Sequence, residues 1–79
     1  MTAKMIRTKR VAAGIPGHAV CRVARISRTK LSDIEQEYAI STPEELQRID
    51  DAIEQILDTR KHLAKLAADA GLSLNGVRL

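Results

Sequence analysis

The sequence predicts an all-α protein, a small helical bundle with a long C-terminal helix. Tyr38 is the only aromatic residue among 79, so the core has to be built from Ile, Leu, Val and Ala, which favours helices packed on helices. Gly and Pro residues separate stretches whose apolar residues recur at helical spacing. Three of these stretches follow a good N-capping residue, namely Thr2, Ser27 or Thr42.

The first helix is predicted to begin after Thr2 and to run to about Ala13. Ile6 and Arg10 share one of its faces, four residues apart. Gly14 stands where a glycine commonly follows the last residue of a helix.

Two short helices follow. Pro16 and Gly17 open a helix over residues 17–24, and Ser27 caps another over residues 28–36. The apolar residues of both helices are predicted to face inward: Val20, Cys21 and Ala24 in the second helix, Leu31 and Ile34 in the third.

A capping box begins the fourth helix, with Thr42 at the N-cap, Pro43 at the first helical position and Glu45 at the third. The helix is predicted to run to about Ala70, where Gly71 stops it. Apolar residues recur along it every three or four positions, interrupted by one cation: Leu46, Ile49, Ile53, Ile56, Arg60, Leu63, Ala67 and Ala70.

Such a helix extends beyond the first three, so its far half needs a partner, and we predict that it forms a homodimer. Arg60 is expected to pair across the interface and fix its register. The predicted dimer contacts are Ile53, Ile56, Leu57, Arg60, Leu63 and Leu66. In the tail, residues 72–79, Asn75-Gly76 is typical of a hairpin, and a frayed terminus is the alternative.

Size and motifs argue against an enzyme. A single domain of 8.7 kDa has room for one binding surface and little room for a substrate pocket. The chain has no hydrolase motif, no phosphate-binding glycine loop and no metal-ligand spacing. We therefore expect no catalysis, no metal, no cofactor and no small-molecule ligand.

Charge is distributed unevenly along the chain, which carries +3 overall. Residues 1–40 hold eight bases and three acids, whereas residues 41–79 hold five bases and seven acids. A basic half joined to a mildly acidic half suits a protein that meets a polyanion with one part only, although a solvated surface explains the composition as well.

Cys21 is the only cysteine, so no internal disulfide is possible, and a reducing compartment is expected. No apolar run approaches the ~20 residues that cross a bilayer, and the N-terminus lacks a secretory signal. We expect a soluble, cytoplasmic protein without a membrane partner.

The second and third helices, joined by a tight connection, form a helix-turn-helix pattern. Its residues resemble the lambdoid phage repressor and Cro class of regulators, often called Xre-type, across roughly residues 5–58. The matching positions occur without insertion or deletion: Arg10, Gly14-Ile15, Val20-Cys21, Arg25-Ile26-Ser27 and Leu31-Ser32-Asp33-Ile34-Glu35. The resemblance implies a lambda-repressor-like bundle.

The chain departs from the family pattern at both helix ends of this motif. The turn glycine is replaced by Arg25, at a cost on the order of 1 kcal/mol if the left-handed geometry is kept. The glycine that ends the third helix is replaced by Glu37, so we expect that helix to be free to continue through Tyr38.

The resemblance places Arg28, Thr29 and Asp33 at the base-reading positions, with Ser32 as a secondary candidate. Arg28 suits guanine and Thr29 suits a thymine methyl. Asp33 suits the amino group of cytosine, or it is an intramolecular salt partner of Arg28 or Lys30. Arg28 also has the plainer interpretation of a solubilising charge.

Phosphate contacts are predicted from the resemblance and from charge. The Gly17 amide resembles the phosphate clamp of the family, and Arg10 is expected to pair with Glu35 while offering a spare N–H to phosphate. Charge and position make four further residues candidates for phosphate contacts. The alternative is that they form a solvent-exposed face with no binding role: His18, Arg22, Arg25 and Lys30.

These residues predict a sequence-specific regulator that binds double-stranded DNA as a homodimer and acts as a Cro-like repressor on a pseudo-palindromic operator. Within one domain, residues 1–41 would bind DNA and residues 42–79 would dimerise. Two alternatives stay open: an antitoxin whose C-terminal helix wraps a toxin partner, and a small helical adaptor that contacts proteins only.

Overall fold

The computed structural model describes residues 2–69, and within them the protein is all-α, as the sequence predicts. Four helices follow one another: α1 (Ala3–Ala12), α2 (Gly17–Ala24), α3 (Arg28–Glu35) and α4 (Pro43–Asp69). The predicted stop of the last helix at Gly71 and the tail over residues 72–79 lie outside the described residues. None of the described helices is long and apolar enough to cross a membrane.

The core lies where the first half of α4 crosses α1 and α2, and α3 closes it from the other side. Its side chains are almost all aliphatic, as the lack of aromatic residues requires: Ile6, Ile15, Val20, Cys21, Ala24, Leu31, Ile34, Ile49, Ala52 and Ile53. Burying branched aliphatic side chains is the main stabilising contribution in a domain of this size.

Both ends of α1 follow from their local sequence. The Thr2 hydroxyl accepts a hydrogen bond from the Met5 amide at 3.2 Å. After the helix, Gly14 adopts φ 67°, and the Ile15 amide donates to the Arg10 carbonyl at 3.1 Å. This is a Schellman ending, and the residue after the glycine, Ile15, is buried in the core.

The third helix ends earlier than the sequence suggested. Glu37 adopts φ 62°, the left-handed conformation that a glycine would supply. The Tyr38 amide donates to the Asp33 carbonyl at 2.8 Å, and the Glu37 amide donates to the Ile34 carbonyl at 3.1 Å. The expectation that α3 continues through Tyr38 is therefore wrong, because these two bonds complete a Schellman ending without glycine.

The capping box at the start of α4 is confirmed. The Thr42 amide donates to the Glu45 carboxylate, and the Glu45 amide donates to the Thr42 hydroxyl, both at 3.1 Å. The two exchanged bonds satisfy amides that the first turn leaves without intrahelical partners.

Part of the predicted dimer seam belongs to the monomer. Ile53 is fully buried in the core, and Ile56 and Leu57 pack against its edge. Arg60 donates through Nη1 to the Ala13 carbonyl at 2.7 Å, at the end of α1. Assigning Ile53 to a dimer contact is therefore wrong, because the core of the monomer already covers it. The predicted pairing of Arg60 across the interface stays a prediction, although one of its N–H groups is used within the monomer.

The remainder of the seam lies farther along α4. Leu63 is half-buried and Leu66 is 50% exposed. Among the predicted contact residues, these two leucines lie farthest from the core, and Leu66 is the most exposed of the set.

Candidate nucleic-acid interface

The helix-turn-helix consists of α2, the connection Arg25-Ile26-Ser27, and α3. Arg25 adopts φ 59° and ψ 50°, so the turn keeps the left-handed geometry although it lacks glycine. The Ile26 amide donates to the Cys21 carbonyl at 3.1 Å, and Ile26 packs against the core. The Ser27 hydroxyl accepts from the Lys30 amide at 3.0 Å and starts α3. The connection between the two helices is thus fixed at both ends.

The predicted base-reading residues share the outer face of α3. Arg28, Thr29 and Ser32 are exposed, and Asp33 is half-buried. They face outward because the inner face of α3 is buried: Leu31, Ile34 and Glu35. The Ser32 hydroxyl accepts a hydrogen bond from the Gln36 side chain at 3.1 Å, one turn farther along.

Asp33 was open to two interpretations, one of them as a salt partner. Within residues 2–69 the structure shows no ion pair between Asp33 and either Arg28 or Lys30, and the Lys30 side chain extends toward Glu45 of α4 instead. The salt-partner interpretation is therefore wrong. The carboxylate of Asp33 keeps its acceptor capacity on the outer face.

The start of α2 leaves amides without a side-chain cap. Pro16 occupies the N-cap position and makes no side-chain hydrogen bond there. Gly17 is half-buried at the first helical position, and His18 is exposed beside it. Backbone amides and the positive end of the helix dipole at such a position favour an anion.

Positive charge dominates the surface around these residues. The stretch 17–34 contains four cations and one acid, Asp33. Arg22, Arg25 and Arg28 are exposed, and the structure shows no ion pair for them among the described residues. By contrast, α4 opens with Glu44 and Glu45, which repel phosphate from its own N-terminus. The charge over residues 17–34 thus suits a polyanion better than the acidic first turn of α4 does.

Lys30 differs from the other cations on this surface. Its Nζ lies 2.9 Å from Oε2 of Glu45, a residue of the α4 capping box. This hydrogen bond is the main reason why the pKa of Glu45 lies below its usual value. The pair joins α3 to the start of α4 across the surface.

Arg10 anchors α3 from the opposite side. Its guanidinium donates to both oxygens of Glu35, each at 2.8 Å, and to the Ile15 carbonyl at 2.8 Å. Glu35 is the one buried charged residue among those described, and this bidentate bond compensates for its burial. Three of the five N–H groups of Arg10 are committed to protein acceptors, so the guanidinium positions α3, and the contact of a remaining N–H with phosphate stays a prediction.

The predicted pairing of Arg10 with Glu35 is confirmed, but the sequence did not indicate the partners of Lys9 and Lys30. Lys9 contacts Asp50 at 2.9 Å and also contacts Glu54, which joins α1 to α4. From the sequence, Glu45 is predicted only as a residue of the capping box, and no pattern gives Asp50 or Glu54 a partner. Their partners lie 15 or more positions away in other helices, so no local pattern signals the contacts.

Cys21 is buried and has no disulfide partner, as a single cysteine requires. Burial raises the pKa of its thiol, so the reactive thiolate is disfavoured. Across residues 2–69, no three His, Cys, Asp or Glu side chains come close enough together to hold a metal ion.

Comparison with known proteins does not assign this chain to a family. No protein-family model matches it, nor does a curated protein or a solved structure. Its resemblance to the phage repressor and Cro class remains a prediction from residues and spacing.

Proposed function

We propose that this protein binds duplex DNA sequence-specifically as a homodimer and represses transcription from the sites that it occupies. The observation that carries the proposal is the outer face of α3. Arg28, Thr29 and Ser32 project together from a helix that is braced at its inner face and flanked by unpaired cations of α2 and the turn. The proposal also places the protein in the cytoplasm, where DNA is accessible.

The dimensions of B-DNA explain how such a face would read sequence. The major groove admits one α-helix, and side chains near the start of that helix reach the base edges. Arg28, at the first position of α3, would donate both N–H groups of its planar fork to guanine O6 and N7. Thr29 would contact a thymine methyl, and Asp33 would accept from the amino group of cytosine.

Backbone contacts would come from α2. The Gly17 amide and the exposed His18 lie at the positive end of that helix, and Arg22 and Arg25 continue the cationic surface toward the turn. Such contacts hold the protein at a fixed orientation on the duplex without reading its sequence.

Dimerisation would use the part of α4 that the core leaves accessible. Leu63 and Leu66 would pack against the same residues of a second copy. A two-fold dimer whose α3 helices lie about 34 Å apart would read a pseudo-palindrome one helical turn long. A protein seated there would exclude other proteins from the same duplex, which is the simplest form of repression.

Selection of bound duplexes from a random library tests the proposal. We expect enriched sites with two-fold symmetry and a half-site spacing near one turn. Binding to these sites should weaken by orders of magnitude between low and moderate salt, because several phosphates are neutralised. Binding that ignores salt, or no enrichment at all, would support a protein-contacting adaptor instead.

Arg28→Ala tests the base-reading assignment on the selected site. We expect a loss of about 1–3 kcal/mol and a relaxed preference at one base pair in each half-site. Lys61→Ala is the matched control, since Lys61 is an exposed cation on the far half of α4. An equal loss on all sequences for Arg28→Ala would show that it contacts phosphate and reads no base.

A further inference from the structure

The ion pair between Lys30 and Glu45 differs from an ordinary surface ion pair because the Glu45 side chain is also held by the capping box of α4. Lys30 lies on α3 beside the proposed DNA-reading face, and Glu45 lies in the first turn of α4. Their charged atoms are 2.9 Å apart, although the Lys30 side chain is 55% exposed. Lys30 lies where a cation of the proposed phosphate-binding surface is expected, but its charge is already paired with Glu45.

Glu45 is held in place independently of Lys30. Its Oε1 accepts from the Thr42 amide, and its own amide donates to the Thr42 hydroxyl, both at 3.1 Å. The second oxygen, Oε2, is the one that contacts Lys30. Exposed ion pairs are usually weakened by the entropy of ordering two long side chains, and here the capping box has already ordered one of them.

The other cations on this surface have no such partner. Among the described residues, the structure shows no ion pair for Arg22, Arg25 or Arg28, and each is exposed. A lysine whose charge is already neutralised releases no counterion from DNA, so it adds neither affinity nor salt dependence. Lys30 is therefore the one cation among Arg22, Arg25, Arg28 and Lys30 whose contact with DNA phosphate Glu45 can prevent.

We infer that Glu45 is a positioning residue that keeps Lys30 off the DNA backbone and so lowers the affinity for duplexes of every sequence. The inference rests on the proposed function and reverses the sequence-based assignment of Lys30 to phosphate. Base contacts by Arg28 and Thr29 lie elsewhere on α3 and are left unchanged. The restraint acts on the sequence-independent part of binding.

Glu45→Gln in the full chain tests this inference, because Gln is also accepted at the third position of a capping box and carries no charge. The measurement is the affinity for a random-sequence duplex over a range of salt concentrations. We expect the log–log slope to steepen by about 0.9, the value for one additional phosphate contact, and the affinity at low salt to rise about three- to tenfold. The thermal midpoint should stay close to that of the wild type.

Two matched variants isolate the contact. Glu44→Gln removes the neighbouring exposed acid, for which the structure shows no cation partner among the described residues, and should leave the slope at the wild-type value. In a Lys30→Ala background, Glu45→Gln should also leave the slope unchanged. An unchanged slope for Glu45→Gln alone, or the same steepening for Glu44→Gln, overturns the inference.

Failure of the proposed function gives a different result. If the wild-type protein binds random duplex without salt dependence, the DNA-binding proposal fails, and this inference fails with it. If the wild type binds with a steep slope that Glu45→Gln does not alter, only the restraint on Lys30 is refuted.

Discussion

Arg25 and Glu37 adopt the left-handed backbone at the ends of α2 and α3, with φ 59° and 62°. For residues with a Cβ atom, this conformation costs roughly 1–2 kcal/mol each. Each is followed by an amide that donates back into the preceding helix, from Ile26 and from Tyr38. The bonds and the packing around them hold both residues in place despite the strain.

Replacing Glu37 with glycine removes one of these strained positions. We expect Glu37→Gly to raise the free energy of unfolding by about 0.5–1 kcal/mol, because the relief of strain exceeds the extra entropy of the unfolded chain. Urea denaturation followed by circular dichroism measures the change.

The adjacent residue provides the control for this substitution. Gln36 has φ −89°, where glycine relieves nothing, so Gln36→Gly should lower stability by about 0.5–1 kcal/mol. Loss of stability in both variants would show that the left-handed conformation of Glu37 is not strained.

Each element of the fold depends on contacts with another element. The orientation of α3 depends on α1, through the bidentate bond of Arg10 to Glu35, and on α4, through Lys30 and Glu45. In turn, α4 reaches back with Arg60 to the end of α1. Helices of eight residues are marginal alone, so these contacts and the shared core keep α2 and α3 helical.

Removing the Arg10 side chain tests how much α3 depends on α1. Arg10→Ala leaves Glu35 buried and charged without its partner, and we expect it to lower the free energy of unfolding by about 3–5 kcal/mol. Thermal and urea unfolding should both reveal the loss. A domain of this size has a small free energy of unfolding, so we expect part of the Arg10→Ala protein to be unfolded at 25 °C.

Lys9→Ala is the control within the same helix. Lys9 also pairs with acids, Asp50 and Glu54, but at a more exposed site where solvent screens the pair, so its loss should lower stability far less than the loss of Arg10. Equal effects of the two variants would contradict the role of Arg10 as the main connection between α1 and α3.

The whole molecule separates charge by position. Among the described residues, Arg22, Arg25 and Arg28 form a cluster of cations without ion pairs on α2, the turn and the start of α3. On α4, Asp50 and Glu54 pair with Lys9 and Glu45 pairs with Lys30, while exposed cations such as Lys61 and Lys65 lie farther along that helix. The apolar contact proposed for dimerisation lies on α4 beyond Arg60, away from the cationic surface. The molecule thus keeps separate surfaces for the two proposed contacts.

Leu66→Asp tests the proposed dimer. Leu66 is half-exposed on the far part of α4, so a charge there should disfavour association while leaving the monomer core intact. We expect the mass measured by light scattering to fall toward one chain. Lys65→Asp is the control, because Lys65 is exposed on the same turn, and a wild-type mass for Leu66→Asp would exclude this contact.

Sequence patterns predicted the helices and the candidate surface because both depend on residues close together in the chain, through helix caps and the spacing of apolar residues. Ser27 and Thr42 mark helix starts and Gly14 marks a helix end, each through bonds within four residues of its own position, and the structure has these boundaries where the sequence indicates them. The exposure of Arg28 and Thr29 follows from the buried positions Leu31 and Ile34, read at helical spacing. The family identity and the DNA contact themselves stay predictions.

Tertiary contacts decided the rest. Heptad spacing could not tell whether Ile53 and Arg60 meet another copy or the same chain, because both arrangements bury the same face of a helix. Nor could it pair Lys30 with Glu45, since ion pairs between helices depend on how the helices cross. The sequence by itself determined where helices begin and which faces are apolar; only the packing of α4 across α1 and α2 decided which parts of those faces remain exposed.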